Sequence, residues 1–469
     1  MRAEVAGVCG GGVRSDYQAF LAGKAPRAQA AGFEPGPMHE ALRPDQRDVT
    51  GFCLRQGRAA LFLDTGMGKS LDELEWCDQA GRASNGYSLI LTPLAVAKQF
   101  EREAAKFGYE ARVVRSQEDV RLGINICNYD RLDLLDASAF GAVALDESSI
   151  LQSLQGKTRI ALTERFSDTP YRLCATATPA PNDHTELGTH AEFLGIMSSQ
   201  EMLSRWFIND TSTASQDWRL KKSAVTDFWD WVASWARCFE TPADLGYNVP
   251  GFNLPEMKVF RHQAMGDIRP PSGSLFIEDV SATNMHALKR QTAMTRAAKV
   301  RELIDAEPNE QWLIWVDTDY EADALKSVMP GLPEIRGAMT PERKEHILES
   351  FLDGGHLITK PKMTSMGVNW QHCARNIYMG RSFSYRDFYQ SARRTWRFGQ
   401  TREVHVHLLV AEGEDQIGRV IDAKADRHRA MKDAMRAAMK RVLVKQGGPK
   451  VVYNPTHIAR LPKWMKSAA

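Results

Sequence analysis

Short apolar runs alternate with amphipathic segments along most of this chain, in two separate blocks. Runs of this length that are apolar throughout are typical of strands in a parallel sheet covered by helices on both faces. The first block lies between about residue 33 and residue 190, and the second between about residue 291 and residue 415. We therefore predict an α/β chain with two parallel-sheet lobes in tandem, at residues 33–190 and 291–415. The predicted strands are Ala59–Leu63, Ser88–Leu91, Ile124–Cys127, Ala142–Leu145 and Arg172–Ala175 in the first lobe, and Trp312–Val316, His356–Thr359, Asn376–Met379 and Val404–Val410 in the second.

The segments outside the two blocks have different compositions. Residues 1–32 are rich in Gly and Ala and are predicted to be a loosely ordered arm. Residues 191–290 are interpreted as a helical insertion, in which Asp227–Cys238 has a helical period and Val249–Ser274 resembles an extended connector. The insertion holds five of the eleven tryptophans, which we expect to be core residues rather than a base-stacking platform: Trp206, Trp218, Trp229, Trp231 and Trp235.

The C-terminal residues 416–469 are predicted to form a basic helix and tail. From residue 419 to the end there are thirteen Lys or Arg against three Asp or Glu, although the whole chain has a net charge of only +2. A segment of this kind suits a polyanion, and a solvated surface helix explains it equally well.

Cysteine spacing and hydropathy suggest the compartment. None of the seven cysteines is spaced as CxxC, which argues against a disulfide framework and against a zinc site. No apolar stretch has the length of about 18 residues that a membrane span needs. We expect a cytoplasmic protein without a membrane partner.

The most specific local pattern is a strand, a glycine-containing turn and a helix at Leu61–Asp78. Backbone N–H groups at Thr65, Gly66, Met67 and Gly68 could close around phosphates, helped by the partial positive charge of the helix N-terminus. The side chain of Lys69 would reach the β- and γ-phosphates, and the hydroxyl of Ser70 would bind Mg²⁺. A strict phosphate-loop motif has glycine where Leu63 stands, so a chance Gly-Lys-Ser at a helix start is the alternative.

Two adjacent carboxylates follow an apolar strand later in the same block. Asp146 could hold Mg²⁺ together with Ser70, and Glu147 could orient and deprotonate an attacking water. Acidic residues that simply cap a strand are common, but their combination with the loop favours ATP hydrolysis. Upstream, the amide of Gln46 could read an adenine edge.

The complete series of motifs resembles that of superfamily-two helicases, and among them it is most similar to Swi/Snf-like DNA translocases of the compact bacteriophage and prophage type. The resemblance covers roughly residues 33 to 415. The matching segments are Gln46, Asp64–Ser70, Leu91–Pro93, Asn128–Asp130, Asp146–Ser149, Ala175–Pro179, Met363–Trp370 and Gln390–Gln400.

This resemblance implies two RecA-like lobes, with ATP and Mg²⁺ bound between them. It assigns Arg394 and Arg397 to the γ-phosphate across the cleft, where a guanidinium can stabilise the charge of phosphoryl transfer. It also assigns Gly367 and Gln390 to the nucleotide, although the family usually carries two glycines before the Gly-x-Asn and only Gly367 remains in this chain. It assigns no partner to Arg393.

The resemblance further implies a motor that moves along nucleic acid, with duplex DNA as the expected track, in a bacterial host cytoplasm. Such a motor should hold the strand by its phosphates, because it cannot depend on sequence. Candidate contacts at predicted strand ends are Thr92, Asn128, Thr359, Lys360, Thr364 and Ser365. The alternatives are a strand-separating helicase that acts on DNA or RNA forks or on recombination intermediates, and a binding module that has lost turnover.

Overall fold

The computed structural model describes residues 27–93, 96–152, 156–210, 217–264, 282–362, 369–382, 384–411 and 415–445. The strands are β1 (Arg58–Leu63), β2 (Tyr87–Thr92), β3 (Ala111–Val113), β4 (Gly123–Asn128), β5 (Ala142–Asp146), β6 (Tyr171–Ala175), β7 (Phe207–Asp210), β8 (Asp217–Leu220), β9 (Ala236–Phe239), β10 (Met257–Ala264), β11 (Trp312–Trp315), β12 (His356–Thr359), β13 (Arg375–Tyr378) and β14 (Val404–Ala411). The α-helices are α1 (Pro44–Gln56), α2 (Lys69–Ala83), α3 (Ala97–Lys106), α4 (Lys157–Arg165), α5 (Glu186–Phe193), α6 (Ser199–Trp206), α7 (Val225–Trp235), α8 (Ala282–Ala306), α9 (Asp319–Val328), α10 (Pro341–Leu352), α11 (Tyr385–Thr395) and α12 (Asp415–Lys445).

The first lobe is built on a parallel sheet with the strand order β3-β4-β2-β5-β6-β1-β9. Every apolar run predicted as a strand in this block is a strand, and its side chains are buried on both faces of the sheet. This agrees with the physical reason for the prediction, since a parallel sheet covered by helices has no solvent-facing side. The order places β6 between β1 and β5, so the ends of these three strands lie side by side at one edge.

Part of the predicted insertion belongs to the first lobe. The helical period predicted for 227–238 ends at Trp235, and the next four residues form β9, which pairs with β1. Trp231 and Trp235 are buried in the same apolar cluster as Phe62 and Leu145. Four of the five tryptophans, Trp206, Trp229, Trp231 and Trp235, are buried core residues as predicted, and Trp218 is half-buried against the same cluster. Their core is that of the first sheet, because β9 completes it.

The second lobe is a parallel sheet with the order β10-β14-β13-β11-β12. The four runs predicted as strands are all present. The connector expected at 249–274 is different: Met257–Ala264 forms β10, which pairs with β14 along its whole length at the edge of the sheet. Most of β10 is exposed, which explains why it lacks the apolar composition of the buried strands.

The C-terminal helix α12 crosses from the second lobe to the first. Ile421 packs with Tyr385 of α11 in the second lobe. Farther along, Met431, Met435 and Ala438 are buried in the main apolar cluster of the first lobe. The basic helix predicted from the sequence is present, but it has an apolar face and joins the lobes.

Acidic residues of the first lobe form ion pairs with several arginines of this helix. Arg436 pairs with Glu240 and Asp244, and Arg441 pairs with Asp230. These arginines are therefore not free for a polyanion.

Among the described residues, no helix is long and apolar enough to cross a membrane. Six of the seven cysteines are described, and all six are buried free thiols.

Candidate active site

Residues 64–70, which follow β1 and include the first two residues of α2, form a tight loop at the edge of the first sheet. Gly66 and Gly68 each have a φ of 85°, a left-handed conformation that favours glycine. A Cβ at Gly68 would lie 2.8 Å from Nε2 of Gln46, and a Cβ at Gly66 would lie 3.3 Å from the backbone nitrogen of Phe398. The loop is therefore closely packed on both sides, and we refer to residues 64–70 as the phosphate loop.

Lys69 begins α2, so its backbone N–H lies at the positive end of the helix dipole. Its Nζ donates to the carbonyl oxygens of Leu63 at 3.0 Å and Asp64 at 3.2 Å. Ser70 follows it in the first turn, and the buried hydroxyl of Thr65 has no partner among the described residues. The loop thus brings together an ammonium, two hydroxyls and a helix N-terminus, which is the set that a phosphate chain requires.

Gln46 lies against the phosphate loop, on α1. Its Nε2 donates to the carbonyl oxygen of Gly68 at 3.1 Å, and its Oε1 accepts from the backbone N–H of Arg43 at 3.3 Å. Arg43 donates to the carbonyl oxygen of Met67 at 2.8 Å and pairs with Asp45. The structure therefore places Gln46 beside the loop, and its reading of adenine stays a prediction.

Asp146 and Glu147 lie at the end of β5, across β6 from the phosphate loop. The hydroxyl of Thr92 donates to Asp146 at 2.8 Å, and that of Thr176, at the end of β6, donates to Glu147 at 3.2 Å. Glu147 has a φ of 53°, a strained conformation for a residue with a side chain. Burial and the charge of Glu147 raise the pKa of Asp146. A cation beside this pair would relieve both effects.

The second lobe contributes the other side of the site, through α11 and the loop after it. Nε2 of Gln390 donates to Glu147 at 3.3 Å. Burial lowers the pKa of Arg394, and the negative charges of Glu147 and Asp146 act to raise it. The guanidinium of Arg394 therefore faces these two carboxylates. Arg397 donates to Asn369, and its Cβ lies 3.7 Å from the position of a Cβ at Gly66.

The structure also gives Arg393 a partner. Its guanidinium pairs with the buried carboxylate of Asp64, which precedes the glycines of the phosphate loop. The two residues are 329 positions apart. No spacing or periodicity in the sequence could have brought them together.

The candidate nucleic-acid contacts are placed unevenly. Thr92 and Thr359 are 0% and 1% exposed, so the structure places them in the interior rather than on a surface that a strand could reach. Lys360 pairs with Asp319 at 2.8 Å. Asn128 is also buried, at 8% exposure, and its Oδ1 has no partner among the described residues, so its contact with nucleic acid stays a prediction. Thr364 and Ser365, as well as Gly367 of the predicted nucleotide set, lie outside the described residues.

A basic surface that the sequence did not single out lies on the first lobe, near the start of α3. A shallow depression there is lined by Lys98, Arg112, Arg115 and Arg121, together with two acidic side chains. We refer to these four residues as the basic depression. Their excess of positive charge would attract a polyanion.

The residues present fit both ATP and Mg²⁺. Mg²⁺ is usually held by one or two carboxylates together with substrate phosphates, rather than by a cage of protein ligands. Asp146 supplies one carboxylate for such a site, and Ser70 supplies a hydroxyl. In the part of the chain described, no set of three His, Cys, Asp or Glu side chains forms a metal cage. Two observations are what bound metal and phosphate would account for. Asp146 is a buried carboxylate beside the half-buried Glu147, and the hydroxyl of Thr65 has no partner among the described residues.

No protein-family model and no curated protein matches the chain. Among solved structures, it is similar to the Sulfolobus solfataricus SWI2/SNF2 ATPase core in complex with dsDNA, with 18% identity and a TM-score of 0.41, over 87% of this chain and 96% of that one. It is also similar to the Sulfolobus solfataricus SWI2/SNF2 ATPase core domain, with 19% identity and a TM-score of 0.41, over 85% of this chain and 93% of that one. Similarity of this degree does not by itself assign a function.

Proposed function

We propose that the protein hydrolyses ATP between its two lobes and uses the cycle to move along nucleic acid, with duplex DNA as its track. One observation carries the proposal. Glu147 accepts a hydrogen bond from Thr176 of the first lobe and another from Gln390 of the second. The group that would activate water is thus positioned by both lobes at once, so hydrolysis depends on how the lobes meet.

The chemistry follows from the positions of the charged groups. The phosphate loop and Lys69 bind the phosphates, and Thr92 holds Asp146 in orientation through its hydroxyl. When bound, Mg²⁺ neutralises phosphate charge and orients the terminal phosphoryl group. Glu147 orients the attacking water and accepts its proton, and Arg394 stabilises the charge on the equatorial oxygens. Arg397, beside Gly66, assists at the same phosphates.

Movement would follow from the division of this site. If closure of the lobes assembles the site and release of products reopens it, a strand that contacts both lobes shifts once per cycle. The basic depression is a candidate contact on the first lobe. The choice of duplex DNA rests on the resemblance of the motif series to Swi/Snf-like translocases.

The test is the steady-state ATPase rate without polynucleotide and with single-stranded DNA, duplex DNA or RNA. Lys69→Ala gives the background, and Glu147→Gln should bind ATP but turn over about 10²–10⁴ times more slowly. Strong stimulation by duplex DNA is expected. Stimulation by RNA alone would refute the DNA assignment, and stimulation by single strands alone, with displacement of a labelled fork, would favour a strand-separating helicase. A wild-type rate no higher than that of Lys69→Ala under every condition would refute hydrolysis itself.

A further inference from the structure

Asp64, the first residue of the phosphate loop, is held by the second lobe. It is buried, and its Oδ1 accepts hydrogen bonds from the hydroxyl of Tyr389 at 2.6 Å and from the backbone N–H of Thr65 at 2.8 Å. Its other oxygen pairs with Arg393. Tyr389 and Arg393 lie one turn apart on α11, so both contacts to Asp64 come from a single helical face of the second lobe.

A third element reaches the same carboxylate, from the C-terminal helix. Lys432 of α12 is 2% exposed. Its Nζ lies 3.0 Å from the hydroxyl of Tyr389, 3.8 Å from Oδ1 of Asp64 and 3.4 Å from Oε1 of Glu240. Lysine is almost never buried to this extent unless it is paired. We refer to Asp64, Tyr389, Arg393 and Lys432 as the Asp64 cluster.

The charges of the Asp64 cluster are mutually dependent. Burial opposes ionisation of Asp64, but the charges of Arg393 and Lys432 outweigh it and hold the pKa of this carboxyl well below its usual range. Burial likewise opposes the charge of Lys432, and Asp64 overcomes it, so the pKa of the lysine is raised. Removal of one member would leave the others as buried charges with incomplete pairing, which is costly.

The cluster is connected to the nucleotide site through the backbone of Asp64. The carbonyl oxygen of this residue accepts a hydrogen bond from Nζ of Lys69. Asp64 therefore touches the phosphate-binding lysine with its main chain, and the second lobe and α12 with its side chain. A shift of either element would displace the loop at the point where Lys69 is held.

We propose that Lys432 and Arg393 are positioning residues that fix Asp64, and through it the phosphate loop and Lys69, when the lobes are closed. This inference rests on the proposed ATP hydrolysis and deepens it. It makes the C-terminal helix a part of the nucleotide site rather than a surface appendage. The role is to set the rate of the chemical step, because the cluster orders the loop in the closed arrangement without touching the substrate.

The alternative is that the cluster only stabilises the packing of α12 against the two lobes. A purely structural role predicts that substitutions lower the melting temperature and the fraction of protein that binds nucleotide. It predicts no change in turnover per folded molecule. A positioning role predicts the reverse: nearly unchanged binding of ATP by the loop, and a lower kcat.

Lys432→Met tests this, since it preserves an unbranched side chain and removes the charge. Lys432→Arg restores the charge, and Lys440→Met is the matched control, because Lys440 lies on the same helix with its side chain 59% exposed. The measurements are kcat with saturating duplex DNA, the Kd of a fluorescent ATP analogue and hydrogen exchange of the amides in residues 64–70. We expect Lys432→Met to lower kcat about tenfold or more, with Kd within about twofold, and to speed exchange in the loop. Lys432→Arg should recover most of the rate, and Lys440→Met should match the wild type.

Wild-type kcat in Lys432→Met would overturn the inference, and so would equal losses in Lys432→Met and Lys432→Arg. If Lys432→Met does not fold, Asp64→Asn keeps the shape of the side chain and removes its charge. The same loss of kcat at unchanged Kd is expected, and wild-type kcat would again overturn the inference. Failure of the proposed function is distinguishable, because it would appear as a wild-type protein without ATP turnover, whereas loop exchange can be compared between variants without any turnover.

Discussion

Replacement of Arg394 by alanine should remove the main charge that the second lobe brings to the reacting phosphate. The structure distinguishes the two arginines to which the resemblance assigns this role. Arg394 faces the charges of Glu147 and Asp146, whereas Arg397 donates to Asn369 of its own lobe. An arginine supplied across a cleft contributes about 10³–10⁵ to the rate of phosphoryl transfer. Lys69 and Arg397 remain in the variant, so we take the lower end of that range.

Arg394→Ala should therefore lower kcat about 10³-fold, which corresponds to about 4 kcal/mol of transition-state stabilisation. Arg397→Ala should lower it about 10- to 100-fold, because its guanidinium is partly satisfied by Asn369. Phosphate release at saturating ATP and duplex DNA measures kcat, and an ATP analogue titration measures binding. Binding should change little in either variant, since the interaction develops in the transition state.

Arg301→Ala is the control, because Arg301 lies on α8 of the same lobe and pairs with Asp305 on the surface. The reasoning is refuted if Arg394→Ala retains a tenth of the wild-type kcat. It is also refuted if Arg397→Ala is the slower enzyme, since the arginine that faces the two carboxylates would then not be the one that acts on the phosphate.

Two further predictions concern the first lobe. Glu73 is fully buried on α2, and neither of its oxygens has a partner among the described residues; burial and the charge of Asp146 raise its pKa. The native state then binds this proton more tightly than the unfolded state, so stability should decrease as the pH rises above the usual range for Glu. Glu73→Gln should remove that slope and raise the free energy of unfolding on the order of 2 kcal/mol at pH 8, as measured by guanidinium unfolding at pH 5 and pH 8. An equal stability of both proteins at pH 8 would contradict it. In the basic depression, Arg112→Glu combined with Arg115→Glu should raise the half-saturating concentration of duplex DNA in the ATPase assay. The slope of the logarithm of DNA affinity against the logarithm of salt concentration should fall by about 1 for each phosphate that the variant no longer binds. Arg82→Glu, at another exposed position of the lobe, is the control, and equal effects would remove the basic depression from the nucleic-acid path.

Most strands of both sheets are predictable, because a short run that is apolar throughout indicates a strand buried on both faces. The sequence does not reveal β9, because Ala236–Phe239 continues the apolar content of α7 with no glycine or proline between them. It does not reveal β10 for the opposite reason, since an exposed edge strand has no need of apolar side chains. Composition identifies a buried strand, but it does not identify the residue at which a helix ends and the next strand begins.

The positions of the candidate site residues are predictable where motif and chemistry coincide, and not where the contact is long-range. Gln390 donates to Glu147, and the charges of Glu147 and Lys69 both act on Asp146, so these four residues lie close together. The partner of Arg393 cannot be found from the sequence, because an ion pair between residues 329 positions apart leaves no local signal.

The C-terminal helix does carry a signal of its packing. Its apolar residues Met431, Met435, Ala438 and Met439 recur at the spacing of one helical face. The many Lys and Arg residues between them dominate the composition of the segment, so the apolar face is visible only in the spacing.

The distribution of charge explains why the site is divided between two lobes. In the first lobe alone, Asp146 and Glu147 would be adjacent carboxylates at a buried strand end, with Lys69 held by backbone carbonyls. Burial and the charge of Glu147 raise the pKa of Asp146 and so disfavour its ionised form. Arg394 and Gln390 bring a charge and a donor to the pair only when the second lobe is in place. The orientation of Glu147 therefore depends on the second lobe. This is the dependence that the proposed motor needs if ATP is not to be hydrolysed without movement.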